Sequence, residues 1–114
     1  MSELTKSYNP AQKISVRAED EIPARRFISA FGKVCQPTEV AIGVSEIAWA
    51  KGNTMSVITL GTVLIDTSEA IAKGDKISVA IDGRAKKKTT ESDWIAIALA
   101  NAGAGSQLKA KLVV

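Results

Sequence analysis

The stretch "AKGDKISVAIDG", Ala72–Gly83, decides how this chain is read. Its apolar residues alternate through Ile77, Val79 and Ile81, the period of a half-buried strand. Asp82-Gly83 closes it with a strong hairpin signal, because a type I′ turn needs a positive φ at both central residues. Twenty-two residues earlier stands a near copy, "AKGNTMSVITLG", Ala50–Gly61. Extending both copies by two residues aligns Ala48–Gly61 with Ala70–Gly83, and seven of the fourteen positions are identical. Trp49 pairs with Ile71 and Met55 with Ile77, both apolar exchanges. A weaker third copy starts at Ala102, with Gly105 and then Leu108, and lacks the lysine.

The unit has a local physical meaning. The A-x-A-K-G segment turns the chain, with glycine supplying a positive φ. A strand follows, and a second glycine bends it again. Shared corner chemistry accounts for the repeat as well as duplication does, and both stay open. In either case the repeated segment is blank of chemistry because its work is shape.

The same grammar extends outward. Residues 13–17, "KISVR", alternate, and "AEDEIPA" follows as an acidic loop in which Pro23 forces Ile22 to be extended. Arg26–Lys33 alternates again, which predicts Phe27, Ser29 and Phe31 on one face and Ile28 and Ala30 on the other. Val40–Ser45 is a short strand. Met55–Leu60 and Thr62–Asp66 are two candidate strands with a bend at Gly61. "DTSEAIAKGD" has room for one helical turn, with Ser68 as N-cap and Gly74 just past its end. Lys76–Ile81 is the strand of the second copy, and Arg84–Thr90 is its returning strand or loop. Trp94–Leu99 and Leu108–Val114 close the chain. In "LKAKL", Leu108, Ala110 and Leu112 face inward and Lys109 and Lys111 face water. With breakers about every 8–12 residues and about eight short strands, the class is all-β: a small closed β-barrel with at most one short helical turn. The organisation predicted is an extended N-terminal arm over 1–12 and one barrel domain over 13–114.

Composition narrows function. The 114 residues suffice for one core, which must be aliphatic, because only Tyr8, Phe27, Phe31, Trp49 and Trp94 are aromatic. There is no histidine, and Cys35 is the sole cysteine. Neither an intrachain disulfide nor a Cys–His nucleophile is available, and Cys35 reads as a buried inert thiol. Carboxylates are scattered, no calcium-loop spacing occurs, and no transition-metal cluster offers itself. No catalytic residue, cofactor or metal site is predicted. No apolar run approaches a membrane span and no export signal opens the chain, so no membrane partner is expected. The net charge of +3 is mild.

What remains is contact chemistry. Lys86, Lys87 and Lys88 form a basic run beside the hairpin, Arg25 and Arg26 are adjacent cations, and Tyr8 sits in the polar arm. Trp49 occupies a corner where the second copy has Ile71, so core packing and an intersubunit contact are both open to it. Nucleic acid is disfavoured for the lysine run, because single-strand binders on barrels set aromatic platforms beside the charge.

Taken in order, Gly43-Val44-Ser45, Ala50–Gly61, Ala70–Asp75, Asp82-Gly83, Ile95–Leu99 and Ala102–Val114 resemble the tailed-phage capsid cement, or head decoration, proteins. "ISVRAEDEIPARRFISAFG" resembles the opening of that family, so the likeness covers residues 13–114. Ala96 stands where the family usually has glycine, and the Lys86–Lys88 run is a second departure. The resemblance implies a non-enzymatic barrel on the exterior of the virion capsid. It implies a homotrimer that contacts the major capsid protein and is made in the host cytoplasm. A nucleic-acid-binding barrel and another structural virion protein, from the head-completion apparatus or the tail, are the alternatives.

Overall fold

Three corners organise the chain. A computed structural model describes residues 10–88 and 94–113. Its corners centre on Gly52, Gly74 and Gly105, with φ of 92°, 91° and 70°, a region that side chains with a Cβ resist. Each glycine N–H donates to the carbonyl of a buried residue, and that residue's own N–H donates to the carbonyl just after the glycine. Gly52 and Asn53 clamp Ala18, Gly74 and Asp75 clamp Ala98, and Gly105 and Ser106 clamp Thr67, all at 2.8–3.1 Å. Three residues before each glycine, the chain makes a two-way backbone bridge: Trp49 with Ile22, and Ile71 with Ala102. Three residues after it comes the first fully buried apolar side chain: Met55, Ile77 and Leu108. The third copy is therefore a full structural member. The Thr67 hydroxyl adds to this corner, donating to Gly103 O and accepting from Ser106 N.

The corners deliver eight strands: β1 Pro10–Arg17, β2 Phe27–Ser29, β3 Ala41–Ser45, β4 Thr54–Asp66, β5 Lys76–Val79, β6 Ala85–Lys87, β7 Ala96–Ala98 and β8 Gln107–Leu112. All ladders are antiparallel, in the order β2-β3-β4-β8-β7-β5-β6, with β1 added to β4. The sheet curls into a nearly closed barrel, as the spacing of breakers predicts. Its two end strands meet by packing: a Cβ at Gly83, just before β6, would lie 2.7 Å from the Phe27 carbonyl of β2. The hairpin at Asp82-Gly83 forms as expected, with φ of 63° and 70°. β8 shows the predicted alternation, with Leu108, Ala110 and Leu112 buried and both lysines exposed.

Two apolar clusters follow from this topology. The barrel interior holds Phe27, Val44, Ile58, Ile65, Ile77 and Leu108 among others, with alanines at 85, 96, 98 and 110. A second cluster of Ala18, Ile22, Ile28, Met55 and Val57 lies apart from it, where the loops around Ala18, Ile22 and Trp49 meet β2 and β4. β2 is consequently buried on both faces, Phe27 in one cluster and Ile28 in the other.

Three expectations are corrected. Arg26–Lys33 is not one strand: Gly32 N bonds back to Ser29 O and Ser29 N to Lys33 O, a tight turn that leaves Phe31 69% exposed. Met55–Asp66 is not two strands: β4 runs unbroken through Gly61, whose φ of 103° lies within it, and β1 pairs its first half and β8 its second. No helical turn forms at Ser68, because Thr67 and Ser68 donate their amides to Ser106 and Ala85 and Ile71 is held extended by Ala102. The only helical residues described are the 3-10 turn Ile81–Gly83. β1 begins at Pro10, three residues ahead of the strand read from alternation.

β3 crosses β4 so closely that a Cβ at Gly43 would collide with the Ile58 carbonyl and sit 2.7 Å from Val57 Cγ1. A Cβ at Gly74 would meet nothing within 4 Å. Gly43→Ala is therefore expected to cost about 3 kcal/mol or more by forcing strands apart. Gly74→Ala pays only for its left-handed backbone, about 1–3 kcal/mol. Urea midpoints of the two variants measure the difference, and the reverse order would contradict the close approach.

Candidate functional site

Among the described residues no group of three or more histidine, cysteine or acidic side chains is placed to hold a metal, and no helix is long and apolar enough to cross a membrane. Cys35 is buried, with its Sγ within 3.5 Å of the carbonyls of Gln36 and Glu39. Burial, reinforced by the nearby Glu39 charge, pushes its thiol up to about 11, the opposite of an activated nucleophile. An apolar recess of roughly 270 Å³ between Phe27, Leu60, Ile95 and Leu112 has no charged group in its lining. The parts able to act chemically are the outward charges.

The two arginines are committed internally. Arg25 Nε lies 2.9 Å from Asp66 Oδ1 and Arg26 Nε 3.2 Å from Asp66 Oδ2, so one carboxylate at the end of β4 holds both. Arg26 also donates to Asp82 O across the seam between β2 and β6. Arg25 takes a left-handed φ of 58°, held by its N–H to Ser45 O and its carbonyl to Asp66 N. Arg26 and Asp66 are largely buried, and Arg25 is about one-third exposed. Trp49 is half-buried against the second cluster, and its indole N–H is buried without a hydrogen-bond partner. It floors an open depression edged by Glu21, Pro23 and Ala48.

Strand geometry divides the lysine run. Lys86 is paired with Ser78 and Lys87 with Ile77, so successive side chains leave opposite faces. Lys87 reaches the barrel rim, with its Nζ 3.9 Å from Asp75 and its N–H on Glu69. Lys88 donates its backbone N–H to Lys76 O. Lys76 caps the Trp94 ring at 4.7 Å. Tyr8 lies outside the described residues. The structure thus brings Arg25 and Arg26 together with Asp66, and brings neither of them to Trp49 or to the lysines.

A family model for phage cement proteins matches residues 7–114. The chain belongs to the phage cement protein family. Among solved structures, the N base of the head fiber gp8.5 of bacteriophage phi29 has the same fold, with a TM-score of 0.76 at 17% identity. The alignment covers 90% of this chain and 93% of that one. No curated protein matches. The family is one of structural phage proteins, which fits a barrel whose polar groups serve packing and surface. Asp66 is the functional-looking residue that sequence reading passed over. Its signal was faint: an acid ending a strand, some forty residues from the arginines it holds.

Asp66→Asn removes the shared counter-charge from two arginines, one of them well buried, and is expected to cost about 2 kcal/mol, while Glu19→Gln at the exposed Arg17 pair stays within about 0.5. Chemical denaturation of both variants gives the comparison. Cys35 is expected to resist alkylation at pH 8 in the folded protein and to react quickly in denaturant. Its folded-state value exceeds the ordinary 9.0, so its contribution to stability is present below pH 9 and disappears as pH rises towards about 11. Rapid labelling of the native protein at pH 8 would contradict this.

Proposed function

We propose that this chain decorates the outside of an assembled phage head as a non-catalytic homotrimer, with the major capsid protein as its partner. It is made in the host cytoplasm and takes its place on the virion exterior. The observation that carries this reading is the family match over 7–114, which takes in every strand of the barrel. The scaffold supports it: corners and ladders fix the outer shape. Arg25, Arg26 and Trp49 support that shape from within, while Lys86, Lys87 and Lys88 on and just after the β5–β6 hairpin, with Tyr8 in the N-terminal arm, provide contact chemistry.

The mechanism is avidity. Each subunit contact is modest, but a trimer engages several capsomers together, and effective concentration raises apparent affinity roughly 10²–10⁴-fold. A ligand that binds only the assembled head stabilises that state by mass action.

Full-length protein mixed with expanded heads that lack it is expected to co-sediment, and the loaded heads are expected to survive higher temperature before releasing DNA. Failure to co-sediment would count against decoration. Tight, salt-sensitive retardation of DNA in a gel would favour the nucleic-acid alternative instead.

A further inference from the structure

We infer that the outer wall formed by β5, β7, β8 and β4 is the face that meets the head, and that it fits a carboxylate-rich protein surface. This rests on the cement reading and adds to it the face and the partner's chemistry.

Register assembles the wall from residues far apart in sequence. Directly opposed residues of an antiparallel pair share a face. Lys76 opposes Ile97, Ile97 opposes Lys111, and Lys111 opposes Thr62, a single row across four strands. Lys109 opposes Leu64 in the next row on the same side. The row faces away from the core, because Leu108, Ala110 and Leu112 alternate with these lysines into the barrel. Lys86 opposes Ser78, two residues beyond Lys76 on β5; Ser78 is buried, so Lys86 stands at the wall's edge and not in the row itself. Neighbouring strands are about 4.8 Å apart and alternate residues of a strand about 6.8 Å, so these charges lie roughly 5–10 Å from their neighbours, within a screening length at physiological salt.

Two features mark this wall. First, it gathers uncommitted lysines: among the described residues Lys86, Lys109 and Lys111 make no salt bridge, as Lys33, Lys51 and Lys73 at separate turns also make none, whereas Lys13, Arg17, Arg25 and Arg26 are each held by a carboxylate of this chain. Second, the residues of the two rows, Thr62, Leu64, Lys76, Ile97, Lys109 and Lys111, include no carboxylate. Asp66, two residues beyond Leu64 on the same side of β4, is taken by Arg25 and Arg26, and the exposed acids Glu19, Asp20, Glu21, Glu69 and Asp82 lie outside these rows. A wall with an aliphatic centre and flanking ammonium groups has the make-up of a protein contact with a polar rim. The aromatic ring beside it, that of Trp94, is covered by Lys76 and so is not an open stacking platform for bases.

The test pairs Lys109→Glu/Lys111→Glu with Lys33→Glu/Lys51→Glu, which changes net charge equally at exposed turns away from the wall. Binding to heads at about 0.1 M salt is expected to weaken about tenfold or more for the first pair and less than about threefold for the second. Lys109→Arg/Lys111→Arg is expected to bind like wild type, and Lys109→Gln/Lys111→Gln to fall between, which covers the case of a misfolded reversal. Equal weakening by both glutamate pairs, or by neither, overturns the assignment of the face. A second arm uses polyglutamate and single-stranded DNA as probes. Polyglutamate binding by wild type that Lys109→Glu/Lys111→Glu abolishes supports the wall's chemistry. If heads are not bound while that loss is seen, the cement reading fails and the wall's preference stands. Single-stranded DNA held more tightly than polyglutamate at matched salt overturns the protein partner. Sedimentation velocity in which Lys109→Glu/Lys111→Glu dissolves a wild-type oligomer makes the wall a contact between copies, and overturns the inference as well.

Discussion

The structure depends on one repeated constraint: a glycine corner that clamps a buried small residue by two backbone hydrogen bonds. Ala18, Ala98 and Thr67 are held this way, and all three are buried. Most strands here have only three to six residues, too short to hold register on their own. The barrel interior gives little help, since Ala85, Ala96, Ala98 and Ala110 are interchangeable in shape. A slip of one residue would turn every side chain to the other face. The clamps prevent this by fixing where each strand begins relative to a strand distant in sequence. Each buried backbone bond is worth about 1 kcal/mol net, and leaving one unmade costs more, so the corners act on register more than on total stability.

This explains what could be read in advance. The corners, the Asp82-Gly83 hairpin and the alternation of β8 are local, and local signals are visible in a single sequence. Phe31 was misplaced because alternation continues through Ala30 and Phe31 while the backbone has already turned. Nothing in "RFISAFGK" announces that Ser29 and Gly32 will bond to each other. The helical turn at Ser68 failed for the complementary reason: its amides are claimed by Ser106 and Ala85, partners that no window of ten residues contains. The third corner looked weak because Ala104 stands where the other two have lysine, while the clamp itself is made by backbone groups.

The candidate surface was harder to read than the fold. A sequence shows where charges are, not which are already neutralised. Arg25-Arg26 looks like a contact pair until Asp66 is found between the two side chains. Lys86–Lys88 looks like one patch until the pleat sends Lys86 and Lys87 to opposite faces. Conversely, Lys76, Lys109 and Lys111 look unrelated, and pairing through Ile97 sets Lys76 and Lys111 in one row with Lys109 beside it. In a β protein the surface is a product of register, so a contact face becomes visible only once the strands are paired.

That same property suits a lattice-binding role. On a strand such as β8, inward and outward positions alternate, so the outer lysines can change without altering the volume that the core must fill. The core and corners then hold one shape while the outer row sets affinity, salt dependence and partner choice. Here the described buried polar side chains are few, Ser29, Ser45, Thr67 and Ser78. Those of Ser29, Ser45 and Thr67 bond to backbone groups of neighbouring turns and strands, and so serve the scaffold. On the decoration reading proposed above, such a barrel meets its partner through its exterior, and repetition of that exterior across a lattice turns modest contacts into a persistent one.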